Sequence, residues 1–388
     1  MKILIYGGGF NPPHLGHRAA LKAGRRALHP DLTLVIPDGN PPHKPFPALS
    51  PDSDERIKLS KLCFGTLSDT KILDMAMRRK GPCYMVDTVT ELRRKYPKDE
   101  LVLLLGSDML LSFDTWYRAE ELMRQCTLAA LCRGPGEREN LQRKAEALRN
   151  RGARVVLVDH EPVEISSSSL RSLLPERRGR EYLWDQVYQE IIRCRLYGAK
   201  PDLDWLKEQM RDLVKKKRQS HVLGCEETAR RLAERWGEDP DDAAEAGLLH
   251  DCSKRWKEEE QLAYCKKMGI SLDEGERQNP QLLHARTGAI LARELFGAPE
   301  RIQSAIRWHT TGKPKMNLLE KILYLADMIE PNRDFPGVEE LRELADQDLD
   351  RCMARALAMS VQNIQERGLT VYKDTLEAYH WYSAAYGK

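Results

Sequence analysis

Two histidines spaced three residues apart follow the first apolar run of the chain, in the segment GGGFNPPHLGH, residues 7–17. If a helix begins near His14, then His14 and His17 lie on one face of its first turn, where two imidazoles can donate hydrogen bonds to phosphate oxygens. The glycines let a polyphosphate approach the backbone, and a helix start directs N–H groups at it. A structural explanation also stays open, in which one histidine caps the helix and the other packs.

Two further segments carry groups that suit phosphate. The segment ISSSSLR, residues 165–171, places four hydroxyl groups at a predicted strand-to-helix junction, with Arg171 one turn later. A serine that caps the helix accounts for one hydroxyl, and the others remain available to an anion. The segment PPHK, residues 41–44, adds the flexible cation of Lys44 near the same edge. We therefore predict one anion site built from three segments.

A set of imidazoles and carboxylates is spread over the second half of the chain: His221, His250, Asp251, His284, His309 and Asp327. Only His380, among the histidines after residue 200, lies outside this set. We predict that the HD pair shares a helix with the preceding DDAAEAG, where a carboxylate is costly unless it is paired or bound to metal. Imidazoles and carboxylates without thiolates suit iron, manganese or another divalent ion better than structural zinc.

The first half alternates short β-rich runs with amphipathic helices, which is typical of a parallel sheet with ligands beyond the carboxyl ends of its strands. The predicted strands are Lys2–Tyr6, Thr33–Pro37, Lys71–Asp74, Leu101–Leu105, Thr127–Leu131 and Arg154–Val158. The contiguous glycines do not match GxGxxG, which disfavours a dinucleotide-binding module. We predict an α/β, Rossmann-like fold with a parallel sheet for residues 1–198. From Pro201 onward nearly every segment is helical, so we predict an all-α domain over residues 199–388.

Composition excludes several classes of protein. A chain of 388 residues with a net charge of only +3 is typical of two globular domains and not of a dedicated nucleic-acid binder. The basic runs PERRGRE (175–181) and KKKR (215–218) are predicted to be solvated helix ends or loops. Nine cysteines without a CxxC pair predict reduced thiols and a cytoplasmic protein. We expect no signal peptide and no membrane span, and a homo-oligomer stays open.

GGGFNPPHLGH and ISSSSLR resemble the (H/T)xGH and SSTxxR signatures of the nucleotidyltransferases. The segments PPHK, YMVDTVTELRRKYP, LLLGSDML and TWYRAEELM occur in the order and spacing of the bacterial nicotinate-mononucleotide adenylyltransferases, the NadD group. This resemblance implies transfer of AMP from ATP to nicotinate mononucleotide, which gives deamido-NAD and pyrophosphate, with Mg²⁺ arriving with ATP. Such a transfer needs mainly in-line positioning and stabilisation of charge.

On the matching positions, the resemblance implies two groups of site residues. The ATP side would comprise Gly7, Gly8, Phe10, His14, His17, Ser168 and Arg171, assisted by Lys44, and its histidines and cations would be catalytic. The nicotinate nucleotide would contact Tyr84, Met85, Asp108 and Trp116.

Three positions depart from the family pattern. Gly9 stands where the family commonly has a hydroxyl residue, and Met85 and Ser168 stand where threonine is usual. If backbone N–H groups recognise the nicotinate carboxylate, Met85 changes little; if a side-chain hydroxyl does so, the preference for acid over amide is in doubt. Pantetheine-phosphate adenylyltransferase shares the first signature, but leaves YMVDTV, GSD and TWY without an explanation.

The pattern H…HD…H…H…D resembles the HD-domain metallophosphohydrolases. HDCSK, HARTGA, HTTGKPKM and YLADMIEPNRDFPGVEELR narrow the resemblance to the YqeK group of symmetrical diadenosine tetraphosphate hydrolases, which release two ADP. It implies a dinuclear site of iron or manganese, with one ion on His221, His250, Asp251 and Asp327, and a second completed by His284 and His309 with Asp251 bridging. Lys254, Thr310 and Arg333 would face the substrate phosphates, and Asp251 and Lys254 would be catalytic.

Together the two resemblances imply a bifunctional enzyme that acts on ATP, nicotinate mononucleotide and diadenosine tetraphosphate, without a nucleic-acid or membrane partner. HD folds also host nucleotide triphosphatases, guanosine polyphosphate hydrolases and cyclic-dinucleotide phosphodiesterases, so the fold alone does not decide the substrate. A nucleotide sensor without turnover is a further alternative for the second half. Retention of all six ligand positions together with Lys254 favours hydrolysis.

Overall fold

Short apolar runs in the first half of the chain form the strands of one sheet. These strands are β1 (Lys2–Gly8), β2 (Leu32–Pro37), β3 (Thr70–Ile72), β4 (Glu100–Leu105), β5 (Thr127–Cys132) and β6 (Val155–Asp159). The computed structural model describes residues 1–40, 47–132 and 134–387, so Lys44 lies outside the described residues. All six predicted strands are confirmed, with ends that differ by at most two residues.

The sheet is parallel throughout and has the order β3-β2-β1-β4-β5-β6. Tyr6 of β1 lies opposite Leu104 of β4, and Gly8 lies opposite Pro37 of β2. The chain leaves β1 and β4 in opposite lateral directions, and a crevice for a ligand forms at the carboxyl ends of two such strands. The glycine-rich segment after β1 and the GSD segment after β4 both begin at this crevice.

Helices cover both faces of the sheet, which is why strand residues such as Ile3, Ile5, Leu103 and Leu128 are completely buried. The helices of this part of the chain are α1 (Leu15–Leu28), α2 (Ser53–Phe64), α3 (Met85–Lys95), α4 (Ser107–Leu111), α5 (Ala119–Gln125), α6 (Pro135–Asn150), α7 (Ser167–Leu173) and α8 (Asp185–Arg193). The α/β class predicted for the first half is confirmed.

Two local predictions for the first half have different outcomes. The segment ISSSSLR lies at a strand-to-helix junction as predicted, because β6 ends at Asp159 and the next element, α7, begins at Ser167. The run PERRGRE is not solvated throughout, since Arg177 is only 7% exposed. A long arginine side chain can bury its apolar stem, so a cluster of charges does not by itself establish exposure.

The contacts divide the chain into two units, Met1–Lys200 and Pro201–Lys388. The helices of the second unit are α9 (Leu203–Leu213), α10 (Gln219–Trp236), α11 (Pro240–Leu249), α12 (Glu258–Lys267), α13 (Glu274–Gln278), α14 (Leu283–Phe296), α15 (Glu300–Trp308), α16 (Leu318–Ile329), α17 (Val338–Gln347), α18 (Leu349–Glu366) and α19 (Lys373–Tyr386). The described part of this unit contains no strand, so the predicted all-α class is confirmed. Across the described ranges, we find no helix with the length and apolar character needed to cross a membrane.

The helix that precedes the HD pair ends earlier than predicted. α11 ends at Leu249, so His250 and Asp251 lie in the turn after it and not on the same helix as DDAAEAG. The Nδ1–H of His250 donates to the carbonyl oxygen of Gly247 at 2.7 Å. In a continuing helix that carbonyl would accept from the backbone N–H of Asp251. The imidazole N–H therefore replaces the backbone N–H as the donor to this carbonyl group, at the point where the chain turns out of the helix.

Candidate active sites

A cavity of about 1010 Å³ lies at the carboxyl ends of β1 and β4. It is lined by every described residue that was predicted for the first half: Gly7, Gly8, Phe10, His14, His17, Tyr84, Met85, Asp108, Trp116, Ser168 and Arg171. The predicted ATP side and the predicted nicotinate side therefore share one cavity. Lys44 lies outside the described residues, and its position is not assigned.

The first turn of α1 is held by a reciprocal cap between two histidines. The backbone N–H of His17 donates to Nδ1 of His14 at 3.4 Å, and the backbone N–H of His14 donates to Nδ1 of His17 at 3.3 Å. The two ring centroids are 3.7 Å apart. Because Nδ1 of each ring is an acceptor, the proton of each neutral ring must be on Nε2. The pair thus presents two Nε2–H donors, which phosphate oxygens can accept.

Burial keeps this pair of imidazoles uncharged. It lowers the pKa of His14 to about 4, and burial together with the neighbouring His14 lowers the pKa of His17 well below its ordinary value. Gly16 allows the close packing: a Cβ there would lie 3.0 Å from ring atoms of His14 and 3.2 Å from the carbonyl oxygen of Val163. The pair therefore offers Nε2–H groups to a phosphate.

The four serines of ISSSSLR have different partners. Ser166 caps α7 by accepting the backbone N–H of Ser169 at 3.0 Å, and Ser167 donates to the carbonyl oxygen of Pro12 at 2.9 Å. The hydroxyl of Ser168 accepts from Nη2 of Arg171 at 3.1 Å. Two serines thus hold the local structure, and Ser168 joins the arginine at the cavity.

Asn11 connects the histidine turn to three distant segments and was not predicted as a site residue. Its carbonyl oxygen accepts from Nη1 of Arg171 at 2.6 Å, its Oδ1 accepts from the hydroxyl of Tyr197 at 2.8 Å, and its Nδ2 donates to Ser50 at 2.7 Å. Asn11 is only 3% exposed. The turn-forming FNPP segment was the one available signal, since the partners of Asn11 lie far away in sequence.

The other end of the cavity combines aromatic rings with the start of a helix. Tyr84 precedes α3, and its ring lies 4.4 Å from that of Tyr117 between centroids. Trp116 packs against Phe113 with centroids 5.4 Å apart. The thioether of Met85 lies directly against Gly7, where even a Cβ would overlap it. This end therefore offers flat apolar surfaces together with the backbone N–H groups of the first turn of α3.

In the second unit, Asp251 lies between two pairs of histidines. Its Oδ2 is 3.6 Å from Nε2 of His250 and 3.9 Å from Nε2 of His221. Its Oδ1 is 3.4 Å from Nε2 of His284 and 3.9 Å from Nε2 of His309. The carboxylate is 1% exposed, so its two oxygens face two different parts of one buried centre.

Hydrogen bonds at Nδ1 fix the protonation of these histidines. In His250, His284 and His309 the Nδ1–H donates to the carbonyl oxygen three residues earlier, at 2.7, 2.5 and 2.7 Å. The Nδ1–H of His221 donates to the carboxylate of Glu330 at 3.1 Å. With the proton on Nδ1, the lone pair of His250, His284 and His309 is on Nε2. The Nε2 atoms of all four histidines lie within 4 Å of Asp251 oxygens.

This donor set fits divalent metal ions. Nε2 of His250 is buried, and within the described residues it has no hydrogen-bond partner. A buried lone pair without a partner is costly, and a metal ion would satisfy it. Ligand atoms of His250, Asp251 and His309 lie within 4.8 Å of one another, and so do those of His221, Cys225, His250 and Asp327. Neutral imidazole nitrogens and carboxylate oxygens are common ligands of iron, manganese and zinc.

The three residues predicted to face substrate phosphates also lie at this centre. Nζ of Lys254 lies 2.9 Å from Nε2 of His284, and the hydroxyl of Thr310 lies 3.1 Å from Nε2 of His309. Nη2 of Arg333 lies 2.6 Å from Oδ1 of Asp327, which is itself 3.2 Å from Nε2 of His221.

Sequence reasoning missed Arg218. Arg218 donates to Oδ2 of Asp251, so the prediction of a solvated KKKR run is wrong for its last residue, although Lys215, Lys216 and Lys217 are exposed. A buried carboxylate needs a compensating charge, and the partner of Asp251 is supplied from 33 residues earlier.

Glu330 and Cys225 were also missed. Glu330 is 1% exposed and accepts from His221, and Gly224 makes room for it because a Cβ at residue 224 would overlap its carboxylate. A carboxylate that orients a metal-binding imidazole is a common outer partner of metal sites. Cys225 places its sulfur 3.7 Å from Nε2 of His221, and burial, then the neighbouring acids, raise the pKa of its thiol.

Comparison with known proteins gives a separate match for each half. Residues 5–173 match the cytidylyltransferase-like family, and residues 218–332 match the HD domain family. The first half is 32% identical over 192 residues to the "Probable nicotinate-nucleotide adenylyltransferase" of Exiguobacterium sibiricum, an alignment that spans 50% of this chain and 96% of that protein.

The second half is 42% identical over 164 residues to the "Bis(5'-nucleosyl)-tetraphosphatase, symmetrical" of Bacillus subtilis. This alignment spans 42% of this chain and 87% of that protein. A crystal structure of a "predicted HD superfamily hydrolase involved in NAD metabolism" from Clostridium acetobutylicum is 37% identical with a TM-score of 0.47. That match covers 48% of this chain and 100% of the other.

The uncharged His14 predicts a pH dependence of stability. Below about pH 6.5 the unfolded chain takes up a proton at this position, whereas the folded chain does so only near pH 4. The free energy of unfolding should therefore fall as the pH decreases across this window, by up to about 3 kcal/mol from this residue. Urea titrations of the full chain would measure this free energy of unfolding. Pulsed hydrogen exchange of the peptides that contain β4 would monitor the unfolding.

The matched variants are His14→Gln and His29→Gln, since His29 is exposed at the end of α1. His14→Gln should make the pH dependence shallower, and His29→Gln should leave it as in the parent protein. Equal slopes in all three proteins would contradict the assignment of a neutral, buried His14.

Proposed function

Since the first half of this chain belongs to the nicotinate-nucleotide adenylyltransferases and the second half to the symmetrical bis(5'-nucleosyl)-tetraphosphatases, we propose that one polypeptide carries both activities. The first unit would transfer AMP from ATP to nicotinate mononucleotide. The second unit would hydrolyse diadenosine tetraphosphate to two ADP. Both reactions act on adenosine polyphosphates, so their presence in one chain is chemically coherent.

In the first reaction, a phosphate oxygen of nicotinate mononucleotide attacks the α-phosphorus of ATP, and the bond to the β-phosphate oxygen breaks as pyrophosphate leaves. His14 and His17 would donate Nε2–H groups to the phosphates, and Arg171 would supply the positive charge. The supporting observation is the reciprocal cap, which fixes both rings in the donating tautomer. Donors held in place before the reaction stabilise developing charge without reorganisation. Mg²⁺ bound to ATP would neutralise further charge.

Recognition of the nicotinate ring is assigned to the opposite end of the cavity. Tyr84 and Trp116 would contact the pyridine ring, and the first backbone N–H groups of α3 would bind its carboxylate. A thioether has no hydrogen-bond donor, so Met85 would contribute through its main chain. This arrangement preserves a preference for the acid over the amide, because a helix start favours an anion. Asp108 would lie near the sugar and phosphate of the same nucleotide.

In the second reaction, water adds to a central phosphorus of the tetraphosphate, and the bridge oxygen to the neighbouring phosphorus leaves, so that each product is ADP. His221, His250, Asp251 and Asp327 would hold one divalent ion, and His284 and His309 would hold a second with Asp251 between them. Bound ions of iron or manganese would supply Lewis acidity to the phosphoryl group and to the attacking water. The supporting observation is that the Nε2 atoms of four histidines lie within 4 Å of the two oxygens of Asp251.

Positive groups at the same centre would bind the tetraphosphate. Arg218, Lys254 and Arg333 each contact a proposed metal ligand, namely Asp251, His284 and Asp327. Divalent ions on those ligands would take over the contacts, and the three cations would then be available to phosphate oxygens. Thr310 would add a hydroxyl donor beside His309. Burial lowers the pKa of Lys254, although the neighbouring Asp251 opposes this shift.

His17→Ala tests the role of the paired donors. Loss of one preorganised donor should lower the kcat for AMP transfer by about 100- to 1000-fold. Hydrolysis of diadenosine tetraphosphate by the same preparation should stay within about twofold of the parent. Release of pyrophosphate and of ADP by the full chain would measure the two reactions.

His29→Ala is the matched control, because His29 is exposed at the other end of α1. It should leave both reactions unchanged. Equal loss of both activities in His17→Ala would show that the change acts on the whole chain and would contradict two separate sites.

Asp251→Asn tests the metal centre. Removing the charge between the histidine pairs should lower the metal content and reduce ADP release by at least about 100-fold. AMP transfer should persist, because no proposed residue of the first site lies in the second unit. Metal analysis and both assays would be made on protein purified without air.

Asp346→Asn is the control for this change, since Asp346 is a surface carboxylate paired with Arg231. It should keep the metal and both activities. Hydrolysis by metal-depleted Asp251→Asn would contradict the proposed centre, and binding of diadenosine tetraphosphate by the metal-loaded parent without ADP release would favour a sensor.

A further inference from the structure

We propose that Tyr197 is a positioning residue for the AMP-transfer site and that it acts on Arg171 through Asn11. This inference rests on the proposed function of the first unit and adds to it a residue that does not line the cavity. Tyr197 lies in the turn after α8, shortly before the boundary of this unit at Lys200. The segment that leads out of the first unit would therefore help to organise its active site.

The hydroxyl of Tyr197 holds the side chain of Asn11. It donates to Oδ1 of Asn11 at 2.8 Å, and Nδ2 of the same amide donates to Ser50 at 2.7 Å. Tyr197 is 4% exposed. Among the described residues no second donor reaches this Oδ1, so loss of the hydroxyl would leave a buried acceptor without a partner. Burial raises the pKa of the phenol, which keeps its donor proton in place.

Asn11 passes this restraint on to the cation of the site. Its carbonyl oxygen accepts from Nη1 of Arg171 at 2.6 Å, and Nη2 of the same guanidinium donates to Ser168 at 3.1 Å. Because the amide of Asn11 is fixed at both ends, its carbonyl group is fixed too, and with it the guanidinium. Asn11 and Arg171 line the cavity, whereas Tyr197 does not, so the phenol can act on the phosphates only through the arginine.

The backbone around Tyr197 has unusual angles that bring the phenol to this position. Arg195 and Tyr197 have φ angles of 48° and 61°, in the left-handed region that residues other than glycine seldom adopt. The backbone N–H of Lys200 donates at 3.0 Å to the carbonyl oxygen of Leu174, directly after α7. The segment is thus tied to the helix that carries Arg171. Unfavourable backbone angles persist where surrounding contacts impose them, and they often occur at functional sites.

A role in folding alone predicts a different result from a role in positioning. If the bond to Asn11 only stabilised the folded chain, Tyr197→Phe would lower the free energy of unfolding and leave the rate per folded molecule unchanged. If the bond orients Arg171, the same variant lowers kcat in protein that is fully folded. The two cases are separated by kinetics and not by stability.

Tyr197→Phe removes one oxygen atom and keeps the ring. It should lower kcat for AMP transfer by about 10- to 100-fold, because a small displacement of a group that stabilises the reacting phosphates is costly. KM for nicotinate mononucleotide should change by less than about twofold, since Tyr84 and Trp116 keep their surroundings. Hydrolysis of diadenosine tetraphosphate by the same preparation should stay within about twofold of the parent.

Tyr96→Phe is the matched control, because Tyr96 is half-buried at the end of α3 and does not line the cavity. It should leave both reactions as in the parent. Urea titration of each full-chain protein would give the fraction that is folded under the conditions of the assay.

A double-mutant cycle tests whether the phenol acts through the arginine. Tyr197→Phe, Arg171→Gln and the double variant would be assayed for release of pyrophosphate. Once Arg171 is replaced, loss of the phenol should lower kcat by less than about threefold. Independent effects would multiply instead, so that the double variant would show the full loss of both single variants.

The outcomes separate this inference from the proposed function. Coupled losses in the cycle, with an unchanged KM for nicotinate mononucleotide, would establish Tyr197 as a positioning residue. A parent-like kcat in Tyr197→Phe, effects that multiply, or a loss of rate explained entirely by unfolded protein would overturn the inference and leave the transfer reaction in place. Failure of the parent protein to release pyrophosphate from ATP and nicotinate mononucleotide would overturn both.

Discussion

A hydrogen bond between a histidine Nδ1 atom and the backbone determines the chemistry of both halves of this chain. In the first half the backbone N–H groups of His14 and His17 donate to the rings, so each ring keeps its proton on Nε2 and can donate to phosphate. In the second half the rings of His250, His284 and His309 donate to carbonyl groups, so each Nε2 atom carries the lone pair that a metal ion would bind. A histidine whose Nδ1 accepts a backbone N–H thus becomes a hydrogen-bond donor through Nε2. A histidine whose Nδ1–H donates to a backbone carbonyl group becomes a metal ligand through Nε2.

These bonds occur where regular structure begins or ends, because the backbone there has groups without partners inside the helix. His14 caps the start of α1, and His250 and His309 follow the last residues of α11 and α15. Each imidazole stabilises the end of its helix and is oriented by it. Burial then lowers the pKa values of the imidazoles, namely those of His14, His17, His284 and His309. Tautomer, orientation and charge state therefore follow from one local arrangement.

Much of this could be predicted from the sequence. Apolar runs predicted all six strands, and the change to helical periodicity near residue 200 predicted the helical class of the second half. Contacts between distant segments could be predicted only where a family resemblance supplied them, which is why the roles of Asn11, Arg218 and Glu330 were missed: each binds groups that lie far away in sequence. The end of α11 was misplaced because a side-chain bond to Gly247 replaces a helical one. Such a bond has no signature in hydrophobic periodicity.

The tautomers of the histidines are the most direct test of this account. Long-range proton–nitrogen correlation spectra of the metal-free full chain, labelled with ¹⁵N-histidine and assigned with single histidine-to-glutamine variants, would distinguish the two forms at neutral pH. We expect His14 and His17 to be protonated on Nε2, and His250, His284 and His309 to be protonated on Nδ1. The opposite protonation in either group, or rings that average equally between the two forms, would contradict the account.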